Sequence, residues 1–159
     1  MDASLEDAAK NWLAHDGLWF QAVEARHGLE EAIRLDAEVW GRFAAVEAQR
    51  IMKRLGLAPG GGIPALIQAL RHRLYALLNE QEVAEETPTR CIFRMKGCRV
   101  QEARRRKGLP DFPCKPVGIV EFGTFAKTVD PRIQTRCVNC PPDERDGGPW
   151  CAWEFSIPR

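Results

Sequence analysis

One tyrosine, three histidines and few serines leave this chain short of the side chains that most often serve as nucleophile or general base. It has no His-Glu-x2-His pair, no glycine loop ending in Lys-Ser or Lys-Thr, and no Gly-x-Ser-x-Gly elbow. The familiar signatures of zinc proteases, P-loop nucleotidases and serine hydrolases are therefore excluded. The triple glycine at 60–62 has no lysine after it. No apolar run approaches the roughly 18 residues of a membrane-spanning helix. The opening residues Met1-Asp2-Ala3-Ser4-Leu5-Glu6-Asp7 offer neither a basic nor a continuous apolar region of the kind that directs secretion. A cytoplasmic protein without a membrane partner is expected.

What is present is globular in character: 159 residues, 45% hydrophobic and 28% charged, enough for a single compact domain over 1–159. The net charge of +1 hides an asymmetry, because residues 1–89 hold 9 basic against 14 acidic side chains and residues 90–159 hold 14 against 8. Complementary halves packing together, or a basic surface for an anionic partner, would both produce it. The basic run Arg104-Arg105-Arg106-Lys107 has no aromatic residues interleaved as a stacking platform would require, so nucleic acid is not the expected partner.

The hydrophobic spacing of Leu5, Ala8, Ala9, Trp12, Leu13, Trp19, Phe20 and Val23 predicts a helix from residue 3 to about 26, with Gly17 as a weak spot inside it. Gly28 ends it. A second helix runs to Leu55 and stops at Gly56, and a third, with Pro64 in its first turn, carries Leu66, Ile67, Leu70, Leu74, Leu77 and Leu78 on its buried stripe. Beyond Pro88 the texture changes. Strands are expected at 90–95, 133–138 and 150–157, and helices at 100–107 and 117–127. The helical part thus spans 1–87 and a cysteine-rich part 88–159.

All six cysteines, at 91, 98, 114, 137, 140 and 151, lie in that second part. Cys137-Val138-Asn139-Cys140 is a Cys-x2-Cys knuckle, a spacing that lets two thiolates converge on a tetrahedral ion. Cys114 and Cys151, each flanked by proline or aromatic residues, complete a four-thiolate set. Such a closed shell implies a structural zinc, and an iron–sulfur cluster on the same sulfurs is the alternative cofactor. Cys91 and Cys98 remain over. Cys98 precedes a basic helix whose N-terminus could lower its pKa, and a buried small hydrophobe is the other reading of both. A cysteine nucleophile would need His15, His27 or His72 as base, and no spacing selects such a pair.

The order Cys114, Cys137-x2-Cys140, Cys151 resembles the zinc-binding segment of the 4-vinyl reductase domain, found also in the sensory domains of phenol-responsive activators. It departs from that pattern at Cys137, where a glutamate is usual, and in its longer last gap. Residues 90–155, the run His15-Asp16-Gly17-Leu18-Trp19-Phe20 and the tail Trp150-Cys151-Ala152-Trp153 are similar to the amino-thiazoline carboxylate hydrolase group and its small bacterial relatives. The elements and the cysteine set together predict an α+β fold: a helical N-terminal layer on a small zinc-stabilised C-terminal unit with an antiparallel sheet. A homodimer is compatible with it.

On the second helix Asp36, Trp40, Phe43, Glu47, Arg50 and Arg54 follow spacings of three and four that place them along one stripe. The first helix brings His15, Asp16, Trp19, Phe20, Glu24 and His27. Aromatic walls with a few fixed polar groups suit a small apolar or aromatic molecule, and Trp19, Phe20, Trp40, Phe43, His15 and Glu47 are its candidate ligand-binding residues. The alternative is an aromatic core with Glu47 paired to Arg50 or Arg54. The functional expectation is a zinc-stabilised small-molecule binding or sensing protein. Its alternative is a hydrolase-like enzyme acting on a small carboxylated or heterocyclic substrate.

Overall fold

The computed structural model describes residues 3–158. Helix α1 (Ala3–His27) and helix α2 (Leu29–Leu55) are separated by Gly28 alone, whose φ of 86° reverses the chain. Gly56 ends α2 in the left-handed conformation, and the N–H of Leu57 caps Met52 O at 2.9 Å, the arrangement in which glycine avoids the Cβ penalty. Helix α3 (Gly62–Leu70) is shorter than the leucine stripe predicts. The chain breaks after Leu70 and resumes as a 3-10 turn, Leu74–Leu77, so that Arg73 can point into the core, where it is 2% exposed.

Strands β1 (Gln81–Thr87) and β2 (Arg90–Met95) form a hairpin; α4 (Arg99–Arg106) and α5 (Lys115–Val129) follow, then β3 (Gln134–Asn139) and β4 (Cys151–Ser156). The sheet is antiparallel throughout, in the order β1-β2-β4-β3. The mixed α+β class, the helical N-terminal part and the antiparallel sheet all agree with the sequence. Strand β1 does not appear among the expectations. It lies at the sheet edge, and a bulge follows Ala84, with Glu85 at φ 52°.

Alternation along the strands decides which side chains reach the core. Cys91, Phe93 and Met95 of β2 stand opposite Phe155, Trp153 and Cys151 of β4. This inner face packs on α5 through Phe122 and Phe125, and α5 in turn packs along α2. The outer face carries Arg90, Arg136 and Glu154, where both arginines converge on one carboxylate at 2.7 and 3.0 Å. Trp12, Trp40, Phe43 and Tyr75 stack or meet edge-on at 5.3 to 6.3 Å, tying α1 and α2 to the 3-10 turn, each such pair contributing about 0.5–1.5 kcal/mol beyond area burial.

The two oppositely charged halves meet where Arg104 of α4, 3% exposed, grips Glu24 of α1 with two hydrogen bonds of 2.8 and 3.0 Å. Gln101 fixes the segment that follows α4: its amide donates to Phe112 O and accepts from Phe112 N, both at 2.8 Å. Asp130, at the end of α5, accepts from Gly62 N at 3.0 Å and from Arg132 Nη2 at 2.7 Å, pinning the start of α3 beside β3.

Candidate functional site

With α4 strapped to α1 by the Arg104–Glu24 fork, the two helices stand apart from the sheet and α5. The space between is a cavity of about 450 Å³. Its apolar wall comes from Leu13 and Phe20 of α1, Trp40 of α2, Val117 and Phe122 of α5, and Trp153 of β4. Polar atoms enter from Asp16, Asp36, Tyr75, Gln101 and Glu121, and thiols from Cys98, Cys114, Cys140 and Cys151. Lys10, Arg99, Arg106 and Lys107 also border it.

Asp16 and Asp36 face this space from different helices, and neither has a hydrogen-bond donor or ion-pair partner among the described residues. Burial raises the Asp36 pKa to about 7, helped by the negative charges of Asp16 and Glu121, and burial raises Asp16 as well, opposed by His15. In the folded chain Asp36 therefore keeps its proton to about pH 7, whereas an unfolded aspartate releases it near ~3.9. Folding binds a proton across that interval, so stability falls as pH rises through it. Asp36→Asn is expected to match the parent chain near pH 4 and to exceed it at pH 8 by about 2 kcal/mol, a figure discounted for the water that reaches the group. Urea denaturation at the two pH values measures the difference, and an equal gain at both would refute this account.

Glu121 has the opposite situation. It is buried and takes Arg73 Nη2 at 2.7 Å, while Arg73 Nε donates to Glu47 at 2.9 Å. Glu47 thus pairs with Arg73 and not with Arg50 or Arg54; Arg54 instead donates to His72 O at 3.3 Å.

Of the side chains expected to bind a ligand, Phe20 and Trp40 belong to the cavity wall. Trp19 is 65% exposed, because one residue along a helix turns a side chain by about 100° and Phe20 occupies the inward position. His15 is exposed for the same reason, with Asp16 turned inward. Phe43 packs on Trp12 and Trp40, and Glu47 is held by Arg73; neither lines the cavity. Tyr75, Glu121, Gly118 and the thiols were not anticipated as wall residues. Glu121 did carry a signal, as the single carboxylate in the otherwise apolar segment 117–126.

The four-thiolate zinc site is corrected by the geometry. Cys114 and Cys140 approach to 3.5 Å, and all six cysteines are free. The contacts are thiol hydrogen bonds: the one shared by Cys114 and Cys140 draws the Cys114 thiol down, while bonds to Cys114 and Cys151 hold the Cys140 thiol up. Cys137 is raised by burial. Among the described residues no three His, Cys, Asp or Glu side chains form a group able to hold a metal ion. The zinc-binding character expected from the cysteine spacing is thus unsupported by this arrangement, and an iron–sulfur cluster gains no support either. Burial also reverses the expectation for Cys98, raised to about 12, and raises Cys91 to about 11. Among the described residues no helix is long and apolar enough to cross a membrane.

In fold the chain is similar to a trafficking protein particle complex subunit 3 from Naegleria fowleri, whose crystal structure is covalently bound to palmitic acid. The TM-score is 0.56 and the identity 9%, with 100% of this chain and 98% of that one covered. That neighbour corrects the likeness to 4-vinyl reductases drawn from the cysteine order. No curated protein matches the sequence. A family model does match, across residues 2–157, and by that match the chain belongs to DUF6125, a family of unknown function.

Proposed function

We propose that this protein binds a small, predominantly apolar molecule in the cavity between α1, α4, α5 and the sheet, as a binding or sensing protein. The observation that carries the reading is the cavity itself: about 450 Å³ falls within the roughly 300–1,000 Å³ of ligand pockets, and apolar walls with a few convergent polar groups are their usual chemistry. The fold tolerates an apolar occupant elsewhere, the trafficking subunit being covalently bound to palmitic acid.

Gly17 supplies the test. It lies inside α1 at the cavity wall, and a Cβ built there meets nothing within 4 Å. Gly17→Leu is expected to stabilise the helix by about 0.5–1 kcal/mol while filling the cavity. Titration calorimetry with 1-octanol should then detect binding to the parent chain and at least about tenfold weaker binding to Gly17→Leu, one order of magnitude being the cost of losing a well-packed contact. If the parent chain takes up no 1-octanol, or the variant binds it equally well, the reading fails. Because the variant gains stability, lost binding would not reflect unfolding.

A further inference from the structure

The cavity has two features that an apolar ligand alone leaves unanswered. One is the carboxylate pair: Asp16 from α1 and Asp36 from α2, both lining the space and both without a hydrogen-bond donor or ion-pair partner among the described residues, though the neighbouring His15 favours the charged form of Asp16. The other is independent of it. Trp153 is 1% exposed, lines the same cavity, and its indole Nε1–H makes no hydrogen bond. Buried donors are almost always satisfied, so a packing void is a poor description of this wall; a donor and two acceptors await polar atoms of an occupant.

We infer that the ligand is an organic amine, its protonated amino group seated between Asp16 and Asp36, its apolar body lying along Phe20 and Phe122, and an acceptor oxygen or nitrogen within that body meeting the Trp153 Nε1–H. The inference rests on the binding reading above and names the ligand class. Trp40 is one helical turn beyond Asp36 on α2, so an ammonium held by the carboxylates stands at the edge of the apolar wall that receives the rest of the ligand. The charged groups facing Asp36 are Asp16 from α1 and Glu121 from α5, and Arg73 is already committed to Glu121 and Glu47.

The cations at the border argue for an anionic ligand instead, and magnitude decides between the two. Lys10 is paired with Glu6 at 2.7 Å, Lys107 is exposed and bonds Gln21, Arg106 is exposed, and half-buried Arg99 lies near enough to Glu6 to help hold that carboxyl down. Charges in water are screened within about 10 Å at ordinary salt, whereas half-buried carboxylates act through a lower dielectric and at closer range.

Three probes of one chain length separate the possibilities by calorimetry: octylamine, 1-octanol and octanoic acid. At pH 8 octylamine should bind at least about tenfold more tightly than the other two, the usual scale of a hydrogen bond to a charged partner. Its advantage should shrink to about threefold or less at pH 5.5, because Asp36 then carries its proton, whereas the amine, with a pKa near that of lysine, ~10.4, stays charged at both values. Asp36→Asn should remove the advantage of octylamine over 1-octanol at pH 8. If 1-octanol binds while octylamine gains nothing over it, or octanoic acid binds best, the amine assignment is overturned and the cavity reading stands. If none of the three binds, both fall.

Discussion

Arg73→Ala is expected to destabilise the protein by about 3–5 kcal/mol, the usual consequence of removing one partner from a buried ion pair. Arg73 is 2% exposed and bridges Glu47 of α2 and Glu121 of α5 from the turn after α3. Its guanidinium also lies 4.8 to 5.7 Å from the ring centroids of Trp40, Tyr75, Phe122 and Phe125. Alanine would leave two carboxylates facing each other in an aromatic shell and would open a cavity the size of the lost side chain. Burial already pushes the Glu121 carboxyl up, with Arg73 opposing; without the arginine Glu121 must take up a proton to remain buried. The loss should therefore be larger at pH 8 than at pH 5. Urea denaturation at both values reads it, and adding Glu47→Gln and Glu121→Gln should recover part of it. A loss below about 1 kcal/mol, small for a buried pair, would show that the network is incidental.

Gly118→Ala is the second large effect, and its sign is counterintuitive, since alanine in place of glycine inside a helix ordinarily gains up to about 1 kcal/mol. A Cβ at position 118 would lie 2.5 Å from Cζ2 and 2.9 Å from Cη2 of Trp153. That ring is buried and packed against Phe122 at a centroid distance of 4.8 Å, so it cannot step aside without moving β4 or α5. Overpacking of this kind costs about 1–3 kcal/mol, which outweighs the propensity gain. A net loss of about 1–2 kcal/mol, some 2–4 °C in Tm per kcal/mol for a chain of this size, should appear in thermal unfolding together with altered tryptophan fluorescence. A variant as stable as its parent would mean that α5 and β4 separate easily.

Most of the architecture was legible because it rests on local signals. Gly28 and Gly56 mark the helix ends, and the apolar spacing of α1 and α2 and the strands β2, β3 and β4 read directly from residue types. Strand β1 escaped because its sequence, Gln-Glu-Val-Ala-Glu-Glu-Thr, has three acids and little to bury; tertiary pairing with β2 makes it a strand. The leucine stripe at 74, 77 and 78 suggested a continued α3, yet the need to bring Arg73 onto two glutamates distant in sequence broke the helix there. For the site, Asp16, Phe20, Asp36 and Trp40 were on the right helix faces. The cysteine order was legible too, but spacing along a chain does not reveal whether sulfurs surround one point or merely hydrogen-bond in pairs. Nothing local could announce that Trp153 and Gly118 press together across two elements.

The bulged edge strand has a consequence for the protein in crowded solution. An unpaired row of backbone donors and acceptors invites a neighbouring molecule to add its own strand. Here the approach meets Glu82, Glu85 and Glu86, and a kink after Ala84 spoils the alignment such docking requires. On its own side of the sheet the outermost ribbon thereby acts as a guard rail against a copy zipping on, leaving β3 as the sheet's other edge.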